Sequence, residues 1–118
     1  MYREYLAEIK AKMTALGIKT AWHSFKNIPA DHCYGTYFVP QMRFDGSDER
    51  AEYYDYSVQA ALFFKDFYDP VNDGETEEAF EESLREYPKF TKTSGYDAEH
   101  DQFYTLYNFE FKEFFDEQ

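Results

Sequence analysis

The side chains best suited to bind zinc or to act as nucleophile and base are His23, His32, Cys33 and His100. Their spacing fits no zinc-finger or zinc-ribbon pattern, and the adjacent His32 and Cys33 are poorly placed to share one tetrahedral ion. A nucleophile pair made of Cys33 and His100 has no glycine-rich oxyanion segment in the sequence to accompany it. The sequence therefore predicts no metal site, no catalytic residue and no cofactor.

The acidic residues are numerous enough to supply an acid–base pair, but we expect them at helix and turn positions where water solvates them. No phosphate-binding loop, dinucleotide fingerprint or G-x-S-x-G sequence occurs. The run DGETEE, residues 73–78, lacks the ligand spacing of a calcium loop. We therefore expect a protein that is not an enzyme and that works by contacting other proteins.

The charge of the chain is unevenly distributed. The 24 acidic residues outnumber the 12 basic ones, which gives a formal net charge of −12 at pH 7. Residues 1–65 carry eight acids and eight bases, whereas residues 66–118 carry sixteen acids and four bases. A field of one sign and this strength disfavours DNA or an anionic membrane surface as a direct partner. It also opposes self-association across the acidic half.

Length and composition indicate one domain spanning residues 1–118. Phe, Tyr and Trp make up 22% of the chain, an excess that favours protein interfaces as well as a core. No apolar run is long enough to span a membrane, and the start of the chain is charged from Arg3 onward. Together with the lone Cys33, these features predict cytoplasmic synthesis without an intrachain disulfide.

Apolar residues at three- and four-residue spacing predict helices over residues 2–16 and 75–87. Gly17 follows the first helix as its expected C-terminal glycine. The second helix has Asp73 as its expected N-cap and ends before Pro88. Five glutamates between Glu75 and Glu82 favour the positive end of its dipole.

Alternating apolar residues and β-branched or aromatic runs predict the strands. Their expected ranges are 19–25, 34–39, 53–65, 89–96 and 102–112. Pro40 is expected to end the second strand, and residues 44–52 to form an exposed, mobile loop. The order predicts an α+β fold in which two helices pack on one face of a largely antiparallel or mixed sheet of about four to five strands. We expect a common core made of Leu6, Ile9, Leu16, Tyr56, Val58, Leu62, Phe80 and Leu84.

The candidate contact residues are aromatic or charged side chains in segments expected to lie outside the regular elements. They are Phe44, Asp45, Arg50, Phe67, Tyr68, Phe114 and Phe115. The alternative is that their rings fold back onto the core.

The order of several segments resembles the small tail-completion, or head–tail joining, proteins of long-tailed bacteriophages and prophages. The matching segments, from about Leu6 to Phe111, are WHSF, YDYSVQAALFFKD, ETEEAFEESL and FYTLYNFEFKEF. The resemblance implies a virion structural protein that joins tail-tube and connector proteins, commonly as a six-fold ring. It also implies assembly in the bacterial cytoplasm and a final place in the virion tail. The family offers no catalytic residues to carry over.

The segment after Pro40, MRFDGSDER, departs from the proline- or alanine-aspartate signature that such proteins often present there. The choice between a terminator and a connector-side stopper is therefore open. Two other classes also remain open. One is an acidic bacterial inhibitor or interaction protein that masks a basic partner surface. The other is a small enzyme or ligand-binding domain, which would require a deep apolar pocket.

Overall fold

The computed structural model describes residues 2–27, 29, 31–47, 50–65, 69, 71, 74–87 and 89–114. Helix α1 (Tyr2–Ala15) is followed by strands β1 (Lys19–Trp22), β2 (Cys33–Ser47) and β3 (Arg50–Lys65). Helix α2 (Glu75–Ser83) then precedes strands β4 (Phe90–Asp97) and β5 (Gln102–Phe114). Neither of these helices is long and apolar enough to cross a membrane.

The strands form one sheet in the order β1-β2-β3-β5-β4. The β1–β2 pair is parallel, and the remaining neighbours are antiparallel. The predicted α+β class and largely antiparallel sheet are therefore confirmed.

Alternation along β3 separates a face covered by the helices from an open face. Residues at even positions from Tyr56 to Phe64 are at most 3% exposed and belong to the core. Leu6, Ile9 and Met13 of α1 and Phe80 of α2 pack against them. Val58 and Ala60 lie opposite Phe109 and Tyr107 of β5, so the core continues across that pair.

Helix α1 passes close to β2 at Gly35. A Cβ atom at this position would lie 2.8 Å from Sδ of Met13 and 3.2 Å from the carbonyl oxygen of Ala61. Both distances are shorter than ordinary van der Waals contact, so the packing of α1 depends on the missing side chain.

The prediction that Leu16 belongs to the core is wrong, since its side chain is 38% exposed. Helix α1 ends at Ala15, and Gly17 has a φ of +79°, which turns the chain. Ile18 takes the buried position instead. The first strand also ends earlier than predicted, at Trp22, because His23 has a φ of 62° and lies outside the sheet as an exposed residue.

The predicted end of the second strand at Pro40 is wrong, and so is the predicted loop over residues 44–52 wherever these residues are described, since 48 and 49 are not. The β2–β3 ladder shifts register between Phe38 and Gln41, so Pro40 lies at an irregularity where its missing N–H is tolerated. The ladder then continues to the pair of Ser47 and Arg50. Cross-strand pairing along the whole length outweighs the polar, glycine-containing composition of this segment.

Helix α2 ends at Ser83, and Leu84–Tyr87 continue as a turn in which the amide of Leu84 donates to the carbonyl of Glu81. The N-cap is Gly74, without a side-chain hydrogen bond, so the prediction of Asp73 as the cap is wrong. Asp73 itself lies outside the described residues.

Candidate interaction surfaces

The three longest strands extend beyond the helix layer. The 16 residues of β3 span about 50 Å at about 3.3 Å per residue, which matches the 53 Å long dimension of the molecule. The 14 residues of α1 cover only about 21 Å. Near the start of α1, Tyr5 stacks on Phe111 with ring centroids 4.1 Å apart, and Phe111 in turn stacks on Tyr56.

The β2–β3 ladder continues from this point to Arg50, about 20 Å further at about 3.3 Å per residue. We call this extension, residues 44–47, 50–55 and 112–114, the hairpin arm. It places strand backbone beyond the point where the start of α1 packs on the sheet.

Four of the predicted contact residues lie in the hairpin arm. The backbones of Asp45 and Phe114 flank Tyr53 in one row across the sheet, while Phe44 pairs with Tyr54. Arg50 begins β3 at the far end. The structure thus places Phe44, Asp45 and Phe114 in neighbouring strand positions and Arg50 about 10 Å away, in strands rather than in a loop and a polar tail. Phe67, Tyr68 and Phe115 lie outside the described residues.

The glutamates of α2 divide into two sets, contrary to the prediction that all are solvated. Glu77 is only 5% exposed, and the Thr105 hydroxyl donates to its Oε1 at 2.5 Å. Glu81 is half-buried and accepts from the Tyr107 hydroxyl at 2.7 Å. Both glutamates therefore face the sheet, one helical turn apart.

Lys92 of β4 joins these two carboxylates. Its Nζ lies 2.7 Å from Glu81 and 3.6 Å from Glu77. Burial works to lower the pKa of Lys92, but the hydrogen bonds and charges of Glu81 and Glu77 outweigh burial and raise it. The pairing follows from the sheet, because Lys92 lies opposite Tyr107 on the helix-covered face.

Glu75, Glu78 and Glu82 are exposed on the other side of α2. We call these residues the acidic surface. Arg85 reaches Glu82 with a 2.8 Å ion pair between exposed side chains, which contributes little to stability. The acidic surface therefore keeps most of its negative charge for solvent or for a partner.

The open face carries a row of alternating charge at the base of the hairpin arm. Arg43, Asp55 and Lys112 lie directly opposite one another on β2, β3 and β5. A shallow cavity of about 400 Å³ is lined by these residues together with Gln41, Tyr56, Ser57, Glu110 and Phe111. Charges of both signs occur here, in contrast to the acidic surface.

Aromatic rings cover the other end of the open face. Tyr34 stacks on Phe63 at 5.0 Å, and Phe25 meets the Tyr34 ring edge-on at 5.5 Å. The Tyr34 hydroxyl donates to Oε1 of Gln102 at 2.6 Å. Burial is the main cause that raises the pKa of Tyr34. These contacts give this region a packed aromatic surface.

The residues that suggested metal or nucleophile chemistry lie in different settings. Cys33 begins β2 opposite Phe64, and burial, followed by the charge of Glu77, raises the pKa of its thiol to about 12. A thiol with this pKa is a poor nucleophile at neutral pH. His23 meets the Phe38 ring edge-on at 4.9 Å, and His32 lies near Phe64.

His100 lies in the turn between β4 and β5. Its Nδ1 is 2.8 Å from Oδ2 of Asp97, and this hydrogen bond is the main cause that raises the His100 pKa and lowers the Asp97 pKa. Oδ1 of Asp97 accepts from the amides of Glu99 and His100. Across the described ranges, these three residues make up the one cluster with metal-ligand spacing. The contacts within the turn account for their arrangement.

Comparison with protein-family models and with curated proteins gives no match for this chain.

Proposed function

We propose that this chain is a structural virion protein of a phage or prophage that completes the tail, or joins the head to it, through protein–protein contacts in a ring. The proposal begins from the resemblance of the sequence to tail-completion proteins. The hairpin arm is the structural observation that carries it. The extension is about 20 Å long, with three strands as far as Tyr53 and two from there to Arg50, and it offers strand backbone to a neighbouring subunit or tube.

The distribution of charge supports a head-to-tail contact. A ring needs two different patches on each subunit, which meet when the subunits are related by rotation. The acidic surface of α2 and the row containing Arg43 and Lys112 are two such unlike patches.

The same charges predict that the ring does not form freely in solution. Exposed carboxylates that approach one another repel by about 1 kcal/mol per close pair in water, and salt screens this repulsion. We expect the free protein to be monomeric or weakly associated. The ring then forms at the tail end, where a partner supplies complementary groups.

Mixing the protein with purified tail tubes tests the proposal directly. Negative-stain microscopy should show a cap at one end of the tube, together with a ring of protein when the cap is seen end-on. Replacing Phe44 and Phe114 by Ser in the hairpin arm should abolish capping. Replacing Lys26 by Ser, at an exposed position in the connection after β1, is the control. A chain that binds neither tubes nor connectors would contradict the tail role.

A second function is an acidic protein that masks a basic partner surface, which the exposed Glu75, Glu78 and Glu82 favour. Binding would then depend on α2 and not on the hairpin arm. Replacing these three glutamates by Gln should weaken binding to a basic partner. The Phe44 and Phe114 replacements should leave that binding unchanged. The same two variants therefore separate the two functions.

A further inference from the structure

Strand β4 is a regular edge of the sheet. In the described part of the chain it pairs with β5 alone, and all 8 of its residues do so in one unbroken register. Natural edges are commonly protected by proline, a bulge, very short length or charged side chains, especially lysine. Strand β4 has no proline and no bulge, and the charge of its one lysine, Lys92, is held by Glu81 and Glu77 of α2.

We propose that β4 is an interaction surface for a second copy of this chain, which pairs with it antiparallel about a two-fold axis at Thr93. The pairing would continue the sheet across the two copies. It is independent of the proposed tail function, because a two-fold contact uses the same strand on both copies, whereas a ring uses two different patches.

The residues of β4 are self-complementary in this register. In an antiparallel pair centred on Thr93, Phe90 lies opposite Tyr96 of the second copy, and Lys89 lies opposite its Asp97. Each contact occurs twice. Aromatic pairs and opposite charges directly across from each other are the combinations that stabilise neighbouring strands.

Tyr96 gives the most specific support. Its side chain is 49% exposed, one of the large apolar side chains left open to solvent in the described ranges. One part of its ring packs on Phe103 at 4.9 Å, and its hydroxyl donates to Asp101. Phe90 is half-buried on the same face of β4. The proposed pairing places these two rings together and covers the exposed part of Tyr96.

The neighbouring registers are less favourable. An axis at Lys92 would place two Lys92 side chains directly opposite each other, and like charges at this spacing destabilise a strand pair. An axis at Ser94 would place Phe90 opposite Ala98, which lies in the turn beyond β4. The axis at Thr93 keeps both rings, Phe90 and Tyr96, within the pair and leaves only Asp97 with a partner outside β4, the oppositely charged Lys89.

A cysteine placed at the axis tests the register. In Thr93→Cys, the two thiols face each other on strands whose opposite Cβ atoms are about 4.5–5.5 Å apart, so a disulfide needs only a small adjustment. In the matched control Thr91→Cys, the two thiols are four residues apart along the pair, about 13 Å. In a glutathione redox buffer, the first variant should form a covalent dimer at least tenfold faster than the second. Equal rates would overturn the proposal.

A charge reversal tests the contact without adding a thiol. Lys89→Glu places a glutamate opposite Asp97 of the second copy, and this repulsive contact occurs twice. The dimer dissociation constant measured by sedimentation equilibrium should therefore rise several-fold. Lys26→Glu makes the same change in net charge outside β4 and should leave the ratio of dimer to monomer close to that of the native chain. Equal effects of the two variants would place the contact elsewhere, and a strict monomer at 0.5 M salt would exclude it. Either result overturns the proposal.

Discussion

On β3, the side chains at even positions from Tyr56 to Phe64 are at most 3% exposed, whereas Ser57, Gln59 and Phe63 on the opposite face are half-buried. Both sets belong to one strand with the same backbone pairing to β2 and β5. The difference is the helix layer, which covers one face only. Ala61 on the opposite face is nevertheless only 2% exposed. Stability should therefore depend mainly on the even positions, whereas Ser57 and Gln59 should tolerate changes that serve contacts.

The largest expected effect lies at the centre of the covered face. Leu62 is fully buried, so Leu62→Ala should lower the free energy of unfolding by about 2–5 kcal/mol through lost burial and a cavity. Gln59→Ala, on the open face, should change it by less than about 0.5 kcal/mol. Urea denaturation of both variants measures the difference. A loss well under 1 kcal/mol for Leu62→Ala would mean that the two faces had been assigned the wrong way round.

Gly35 tests how closely the covered face is packed. Gly35→Ala introduces a Cβ atom 2.8 Å from Sδ of Met13, and such overpacking costs about 1–3 kcal/mol. Met13→Ala alone should also destabilise, since Met13 is fully buried, but it removes the atom that the new Cβ meets. The double variant should therefore be more stable than the sum of the two single losses predicts. A double variant no more stable than that sum would mean that the close approach of α1 is not the cause.

The covered face is mostly apolar, but α2 also makes polar contacts with the sheet there. Thr105→Val keeps the shape of the side chain but removes the hydroxyl that donates to the buried Glu77, which should cost about 1–3 kcal/mol. Thr91→Val, at an exposed position of β4, is the control. Equal stabilities of the two variants in thermal denaturation would show that Lys92 alone satisfies the carboxylate.

The burial of Cys33 should change reactivity rather than stability. With a pKa raised from 9.0 to about 12, the thiol should react with iodoacetamide far more slowly at neutral pH than in the unfolded chain. Glu77→Gln removes the second cause of the raised pKa and should speed the reaction while the fold is retained. Mass spectrometry follows the labelling. A native rate equal to the unfolded rate would contradict the burial of this site.

The sequence predicts the elements well because β3 and β5 alternate apolar and polar residues along most of their length. It fails for residues 44–47 and 50–52, whose polar composition is typical of a loop. Their structure depends on pairing with strands that the local pattern does not include. The four candidate contact residues that lie in the hairpin arm, Phe44, Asp45, Arg50 and Phe114, were therefore predicted in the wrong kind of segment.

Glu77 was missed for a related reason. Its spacing from Phe80, Glu81 and Leu84 places it on the buried face of α2, and this signal was present in the sequence. The donors that make burial tolerable, Thr105 and Lys92, come from strands far along the chain. Periodicity identifies the face of the helix, but only the fold identifies the partners.

The smallest expected effect is at the β4–β5 turn, away from both faces of β3. The His100 pKa is raised chiefly by its hydrogen bond to Asp97, so the imidazole should titrate above the ordinary histidine range. The contribution of this pair to stability is fully present below the unfolded histidine pKa and is lost as pH rises through the folded pKa. The lowered Asp97 pKa sets the acid limit, since the pair is also lost as pH falls through that value. Asp97→Asn should lower the His100 midpoint in an NMR titration and leave the core signals unchanged, whereas an unchanged midpoint would show that the turn hydrogen bond is not formed in solution.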